Sequence, residues 1–289
     1  MSAPPRLFDR RLLGKRRARA AAGVAGDAGF LHREIADRLL DRLSDIARHH
    51  ERALAIGFDA SHPPIPAPFT VHADLAPARL PKGTGRALAA DEEALPFREE
   101  SFDLVLSLLT LHWTNDLPGT LIQMRRLLRP DGLLLGAMIG GASLAGLRRA
   151  LIDAETAITG RSVMRVSPMV EIRDLGSLLG RAGFAMPVVD ADLISIGYDT
   201  PFDLLRDLRA MGESAASATG PIPPLRRDVL AEAMRLYAER HSDAEGRIAA
   251  EFEILTLTGW APAPNQPQPK PRGSALIGLA EALAAARRG

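Results

Sequence analysis

The strongest constraint on the fold is a strand–helix–strand pattern between residues 102 and 138. Residues 102–109 are mostly apolar, and this run is the right length for a buried strand and too short for a core helix. An amphipathic helical pattern follows at 117–128, then the turn Pro130-Asp131-Gly132 and a second apolar run at 133–138. Two buried strands joined by a helix predict a parallel sheet with helices on its faces.

The rest of the chain extends this α/β pattern. We predict an amino-terminal helical segment at residues 1–50 and one α/β domain at 51–289, with a helical annex inserted around 143–245. Further strands are expected at 53–58, 69–73, 87–90, 187–196 and 248–259. Helices are expected at 30–48, 143–158, 175–182, 201–209, 225–239 and 274–287.

Composition excludes several classes of function. Apolar residues make up 46% of the 289, which supports a large core, and 36 basic residues balance 35 acidic ones. Because the net charge is close to zero, the composition does not predict a positive electrostatic potential that would attract nucleic acid. Cysteine is absent, the seven histidines lack metal-ligand spacing, and no apolar run is long enough to span a bilayer. We therefore expect no metal site, no bound nucleic acid and no transmembrane segment.

The amino-terminal segment is basic and amphipathic. It carries Arg10, Arg11, Lys15, Arg16 and Arg17 with leucines between them. Three interpretations remain open: a helix that packs its apolar stripe on the main domain, a helix that binds an acidic partner or membrane surface, and a targeting peptide.

Candidate binding residues follow the ends of the predicted strands. In doubly wound folds the ligand lies beyond the carboxyl ends of the strands. Gly57, Asp74, Asp91 and Ser107 occupy those positions. A carboxylate after the second strand can bind the ribose hydroxyls of a nucleoside cofactor, and one after the third strand can accept a hydrogen bond from adenine. The alternative is that both acids only cap the segments that follow them.

The fourth strand is followed by His112 and Trp113. This histidine could act as a general base or bind the cofactor, and the tryptophan could line a substrate pocket. Alternatively, Trp113 fills the seam between sheet and annex while His112 bonds to a loop. Glu213 follows a predicted helix and is a third catalytic candidate, although a turn at a helix end would explain it equally well.

Several motifs resemble the complex I assembly factor 5 family, which are arginine-hydroxylase relatives of class I S-adenosylmethionine-dependent methyltransferases. A more distant similarity is to the malonyl-carrier-protein methyltransferase of biotin synthesis. The motifs span nearly the whole chain: Leu-Phe-Asp-Arg at 7–10, Phe-Leu-His-Arg-Glu at 30–34, Ala-Asp-Glu-Glu-Ala-Leu-Pro-Phe at 90–97, Leu-His-Trp-Thr-Asn-Asp-Leu-Pro at 111–118, Asp-Leu-Gly-Ser-Leu-Leu-Gly-Arg-Ala-Gly-Phe at 174–184, Met-Gly-Glu-Ser at 211–214 and Arg-Gly-Ser-Ala at 272–275.

The resemblance implies a Rossmann-like sheet of seven mostly parallel strands that ends in an antiparallel pair, 187–196 with 248–259. It also implies S-adenosylmethionine as cofactor, a complex I subunit as protein partner, and hydroxylation of an arginine on that subunit. A bacterial chain would act in the cytoplasm or beside the inner membrane, and a eukaryotic one in the mitochondrial matrix.

The loop after the first strand departs from the family pattern. Methyltransferases usually carry Asp/Glu-x-Gly-x-Gly-x-Gly there, so that the backbone can approach the cofactor. Here only Gly57 remains, Asp59 replaces the second glycine, and four prolines lie within residues 59–68. We predict an irregular loop that narrows the methionine-binding site. The functional alternatives are a methyltransferase of a small molecule or carrier-bound acid, with a rebuilt cofactor pocket, and a cofactor-free protein-binding module.

Overall fold

A seven-stranded sheet forms the centre of the molecule. The computed structural model describes residues 6–23, 29–83, 86–218 and 222–267. The strands lie in the order β3-β2-β1-β4-β5-β7-β6. Their bounds are β1 Arg52–Ile56, β2 Phe69–Asp74, β3 Ala87–Ala89, β4 Phe102–Leu108, β5 Leu128–Ile139, β6 Ala185–Tyr198 and β7 Ile248–Trp260.

The predicted strand directions are confirmed. Strands β1 to β5 pair in parallel, whereas β7 is antiparallel to both of its neighbours, β5 and β6. The long β6–β7 pair therefore closes one edge of the sheet. The sheet is the mostly parallel one that the strand pattern predicts, with the antiparallel pair that the family resemblance implies.

Helices cover both faces of the sheet. Their bounds are α1 Arg10–Ala22, α2 Phe30–Ser44, α3 Leu117–Leu127, α4 Ala145–Thr159, α5 Ile172–Arg181, α6 Pro201–Met211 and α7 Arg227–His241. Alternate residues of the strands enter two separate cores, because successive side chains of a strand point to opposite faces. Leu104 and Leu106 face α2, α4, α6 and α7, whereas Val105 faces α3 and α5.

One expectation from the sequence is wrong, and another concerns residues that the structure does not describe. The turn Pro130-Asp131-Gly132 is part of β5, where the register with β4 shifts and Asp131 adopts a φ of +65°. The turn signal thus marks a bulge that lengthens the strand instead of starting it. The helix expected at 274–287 lies outside the described residues, and the proposed domain division stays a prediction. None of the described helices is long and apolar enough to cross a membrane.

Candidate functional site

Gly57 follows the last residue of β1 and allows a close backbone contact. Its φ is +81°, and a Cβ atom at this position would lie 2.3 Å from the carbonyl oxygen of Leu108. Only glycine fits, because other residues would be strained in this conformation and would also collide with fixed backbone. The predicted cofactor glycine therefore brings the ends of β1 and β4 together. Below it, Ser107 is fully buried, and its hydroxyl bonds to that of Thr110 at 3.0 Å.

The loop after Gly57 is irregular up to β2, as its four prolines predict. Asp59 accepts hydrogen bonds from the backbone N–H and the hydroxyl of Ser61, at 2.9 and 2.6 Å. His62 Nδ1 lies 3.2 Å from the same carboxylate. Burial opposes the charge of Asp59, but His62 and Ser61 outweigh it and hold its pKa well below the usual range. The loop thus carries a fixed negative charge where a methyltransferase usually has glycine.

Arg79 lies between three acceptors at this edge of the sheet. Its Nη2 is 3.4 Å from the carbonyl oxygen of Gly57 and 3.6 Å from Asp59 Oδ2, and its Nε is 3.6 Å from Asp74 Oδ2. The other oxygen of Asp74 accepts the backbone N–H of Ala76 at 2.7 Å. Asp74 Oδ2 is buried and has no hydrogen-bond partner among the described residues. Of the predicted rim acids, Asp74 therefore keeps one free acceptor.

Asp91 is bound by the amino-terminal helix. The guanidinium of Arg10 donates to both of its oxygens, at 2.7 and 3.2 Å, and also to Glu92 and to the carbonyl oxygen of Trp113. Seven residues later, Arg17 is buried and contacts Glu92 and the carbonyl oxygen of Leu109. Helix α1 therefore lies across the edge of the sheet where the cofactor was expected. Arg10 and Arg17 face inward, so their positions favour the interpretation in which this helix packs on the main domain.

The residues at this edge, as arranged here, do not fit S-adenosylmethionine. The cavity beside Asp59, His62, Arg79 and His32 has a volume of about 100 Å³. Ligand sites for molecules of drug size occupy roughly 300 to 1,000 Å³. Asp91, expected to bind the adenine, is occupied by Arg10. We refer to this region, from Gly57 to Glu92, as the cofactor edge.

The structure brings together His112, Trp113 and Glu213, the three catalytic candidates. Trp113 Nε1 donates to Glu213 Oε2 at 2.8 Å, and His112 Nε2 lies 3.0 Å from the same oxygen. The backbone N–H of Ile139 points to His112 Nδ1 at 3.4 Å, so Nε2 is the nitrogen that donates to Glu213. These contacts join the end of β4 to the end of α6 across 101 residues of chain.

Glu213 is a buried, ionised carboxylate. Its side chain is 4% exposed. Burial favours the neutral form, but His112 and Arg17 outweigh it and lower the pKa of Glu213 to about 2. Oε1 has no hydrogen-bond partner in the described part of the chain and lies 3.8 Å from His32 Nε2. Burial, and then the charge of Arg79, lower the pKa of His32 to about 3. His32 is therefore neutral at pH 7, and its Nε2 also has no hydrogen-bond partner among the described residues.

A larger cavity lies on the annex side of Trp113. It has a volume of about 330 Å³ and is lined by α4, α6, α7 and the segment 165–169. We call it the annex chamber. Aliphatic side chains form most of its wall, and Glu213 and Trp113 belong to it as well. The His112–Trp113–Glu213 cluster thus lies between the cofactor edge and a chamber with room for a ligand.

Sequence reasoning missed the partners that organise this site. Arg10, Arg17, Arg79 and His32 were not assigned to it, although Arg10, Arg79 and His32 lie against the predicted acids Asp91, Asp74 and Glu213, and Arg17 lies against Glu92. The motifs at 7–10 and 30–34, which contain Arg10 and His32, were the available signals. Among the described residues, no group of three or more metal-ligating side chains is placed to hold an ion.

Comparison with known proteins identifies the family. A methyltransferase domain model matches residues 46–136. The mitochondrial arginine-hydroxylase NDUFAF5 of Danio rerio is 38% identical and covers 95% of this chain and 89% of its own; the human protein is also 38% identical and covers 95% and 83%. The malonyl-[acyl-carrier protein] O-methyltransferase of Halorhodospira halophila is 32% identical over 88% of both chains.

Solved structures support the fold. A methyltransferase from Bacillus halodurans superposes with a TM-score of 0.53 at 14% identity and covers 78% of this chain and all of its own. At this identity the likeness concerns the fold alone. The level and extent of identity to the curated relatives confirm the family resemblance, and the chain belongs to the arginine-hydroxylase NDUFAF5 family of methyltransferase-fold proteins.

Proposed function

We propose that this protein supports the assembly of respiratory complex I by hydroxylating an arginine of a complex I subunit. In this reaction one atom of molecular oxygen enters the arginine, and an external two-electron donor reduces the other atom to water. The family relatives carry the name arginine-hydroxylase and match along 95% of the chain. They are also named mitochondrial, and we place this protein in the compartment where its host assembles complex I.

One structural observation carries the proposal. His112, Trp113 and Glu213, which belong to the motifs at 111–118 and 211–214, are joined through one oxygen of Glu213 beside a chamber of about 330 Å³. This places a buried, ionised carboxylate at the chamber wall. An acid in this position favours a cationic substrate group, such as an arginine guanidinium, over an anionic one.

The test compares complex I from cells with and without the gene. We expect one subunit peptide to lose the mass of a single oxygen atom on an arginine when the gene is deleted. Less complex I should then assemble. Expression of the parent protein should restore both. Assembly that depends on the gene while every arginine keeps the same mass would instead support a cofactor-free binding module.

We infer that the cofactor edge binds S-adenosylmethionine weakly in the arrangement observed. The support is the small cavity, the charge of Asp59 and the occupation of Asp91 by Arg10. A ligand that binds only the folded state raises the melting temperature by mass action. We expect little shift at micromolar S-adenosylmethionine, and a large shift would contradict the inference and favour a rebuilt pocket.

Methyl transfer to a carrier-bound acid is the second candidate. It is favoured by the malonyl-carrier-protein methyltransferase relative and by two arginines, Arg165 and Arg209, in the lining of the annex chamber. Incubation with malonyl-pantetheine and S-adenosylmethionine tests it directly. Formation of the methyl ester would establish this activity.

A further inference from the structure

One buried arginine of the amino-terminal helix contacts both chain segments that carry the candidate site. Arg17 is 1% exposed, and its Nη2 donates to the carbonyl oxygen of Leu109 at 3.2 Å, shortly before His112 in the chain. On its other side, the Cα and Cγ atoms of Arg17 lie against Gly212, where an added Cβ would be 3.3 Å from each of them. Gly212 directly precedes Glu213. Arg17 therefore contacts the backbone beside both parts of the candidate site.

The carbonyl that Arg17 binds belongs to a strained residue. Leu109 has φ of +50°, which is unfavourable for a leucine. Strained residues persist only where their surroundings hold them, and they are common at functional sites. Leu109 directs the chain from the end of β4 into the segment that carries His112 and Trp113. The hydrogen bond from Arg17 therefore helps to set the direction from which these two side chains reach Glu213.

An ion pair with the cofactor edge does not by itself explain why Arg17 is buried. Glu92 Oε1 lies 3.5 Å from its Nη1, and Arg10 already binds this acid. A buried charge is costly unless it is compensated. Burial raises the pKa of Glu213, whereas the charges of His112 and Arg17 lower it. Arg17 therefore stabilises the ionised acid of the candidate site as well as an acid of the cofactor edge.

Other residues of the same segment contact the candidate site as well. The ring of Phe8 packs edge-on against that of Trp113, with 5.2 Å between the ring centroids. Arg10 donates to the carbonyl oxygen of Trp113 at 3.0 Å. Arg16 donates to the carbonyl oxygen of Ser214 at 2.8 Å. The amino-terminal segment therefore holds both parts of the site.

We propose that Arg17 is a positioning residue of the candidate site: by binding the Leu109 carbonyl and packing on Gly212, it fixes Trp113 and Glu213 in the arrangement that lines the annex chamber. This inference rests on the proposed function, because it gives the amino-terminal helix a role in the same reaction. Arg17 is not part of the chamber lining, so it acts through these two side chains and not on the substrate itself.

The indole N–H of Trp113 reports this arrangement directly. The chain has two tryptophans, so Trp260→Phe leaves Trp113 as the only indole. In this background a proton–nitrogen NMR correlation spectrum shows a single indole signal. Its exchange in heavy water measures how often the hydrogen bond to Glu213 opens. Arg17→Met should accelerate this exchange about tenfold, as expected for the loss of one hydrogen bond from a charged group.

A matched control separates positioning from a general loss of stability. Leu43→Ala removes a core side chain in the last turn of α2 and lowers the free energy of unfolding. A low concentration of urea brings the more stable variant to the stability of the other. At equal stability, the indole proton of Arg17→Met should exchange faster than that of Leu43→Ala. Equal exchange rates would overturn the proposal, because Arg17 would then contribute only to stability.

Arg17→Lys decides the question if Arg17→Met does not fold. Lysine keeps the charge but lacks the planar fork with which Arg17 reaches both Glu92 and Leu109. Its indole exchange should also be faster than that of the control. In cells that lack the native gene, the variant should hydroxylate about a tenth as much of the target arginine as the parent does. The parent's exchange rate or the parent's level of hydroxylation in folded Arg17→Lys would overturn the assignment.

The two proposals fail in different ways. If the NMR results are as described and cells with the parent protein carry no hydroxylated arginine, only the proposed function is wrong. If the parent hydroxylates the arginine and the Arg17 variants exchange no faster than the control, the function stands and Arg17 is not a positioning residue.

Discussion

The cofactor edge and the annex chamber are neighbours that hold their acids in different ways. At the cofactor edge, arginines do so: Arg10 binds Asp91 and Glu92, while Arg79 lies near Asp59 and Asp74. Beside the annex chamber, Trp113 and His112 hold one oxygen of Glu213, and about 330 Å³ of space lies next to them. The comparison teaches that acids of the expected type do not suffice for a ligand site, because the protein's own cations can fill the space beside them.

Replacing Gly57 by alanine is the largest expected perturbation of the cofactor edge. The new Cβ would lie 2.3 Å from a backbone oxygen, in a conformation with φ of +81°. Overpacking and the left-handed backbone together should lower the free energy of unfolding by about 4 kcal/mol. Urea unfolding measures it. Gly83→Ala is the control, because Gly83 has φ of +80° and no atom of the described residues lies within 4 Å of the added Cβ. If both variants lose the same free energy of unfolding, the positive φ alone, and not the close contact with Leu108, requires glycine at position 57.

Arg10→Gln should release the acids of the cofactor edge. Arg10 is 12% exposed and Glu92 fully buried, so the loss of this cation leaves a buried charge with weaker support. We expect the free energy of unfolding to fall by about 3 kcal/mol. The variant should also show a larger melting shift with S-adenosylmethionine, since Asp91 becomes available. Arg11→Gln, an exposed neighbour on the same helix, is the control. If Arg10→Gln keeps the parent's stability, the contact between Arg10 of α1 and the acids of the cofactor edge is not important for folding.

His32 between the two regions predicts a loss of stability in acid. Its pKa is lowered from 6.5 to about 3 in the folded protein, mainly by burial. Below pH 6.5 this histidine is protonated in the unfolded chain, whereas in the folded protein it stays unprotonated until about pH 3. The free energy of unfolding therefore decreases as the pH falls from 6.5 to 3. Between pH 6.5 and 5 the loss should be about 2 kcal/mol.

His32→Leu should remove that part of the pH dependence. Urea unfolding at pH 5, 6 and 7 should give a flatter profile for the variant than for the parent. His49→Leu replaces an exposed histidine and should keep the parent's slope. If His32→Leu keeps the parent's steep dependence of stability on pH, other titratable groups cause the loss of stability in acid. Glu213 would not be one of them at pH 5 to 7, because it contributes only between pH 4.5 and its folded pKa of about 2.

The smallest expected effect concerns the outward face of α1. Arg11, Lys15 and Arg19 are exposed at helical spacing of four. Replacing all three by Gln should change stability by less than about 0.5 kcal/mol. Capture of complex I subunits in pull-down should weaken in low salt and converge with the parent in high salt, where the Debye length is about 3 Å. Capture that is unchanged at every salt concentration would mean that this face is only solvated.

The sequence predicted the strands of the sheet well, because a buried strand is visible locally as a short run of apolar residues. The apolar runs at 102–109 and 248–259 became β4 and β7 within one or two residues. Four prolines correctly predicted an irregular loop after β1. The turn signal at Pro130–Gly132 misled the assignment, because the same residues serve a bulge within a strand.

The organisation of the site could not be predicted in the same way. The Arg10–Asp91 and His112–Glu213 contacts join residues 81 and 101 positions apart. Each individual residue is compatible with solvent exposure, and only the folded topology brings the partners together. The sequence could therefore nominate His112, Trp113 and Glu213 one at a time, but it could not show that one carboxylate oxygen binds both of the others.

The attachment of the amino-terminal segment has a consequence for the order of folding. Leu7 and Asp9 form backbone hydrogen bonds with Ala218 and Ala216, more than 200 residues later in the chain. During synthesis, residues 7–17 leave the ribosome long before their partners exist, and contacts of such long sequence separation form slowly. The segment that covers the cofactor edge is therefore among the first to be synthesised and among the last to reach its folded position. Until residue 218 has emerged, the backbone contacts that fix Leu7 and Asp9 cannot form.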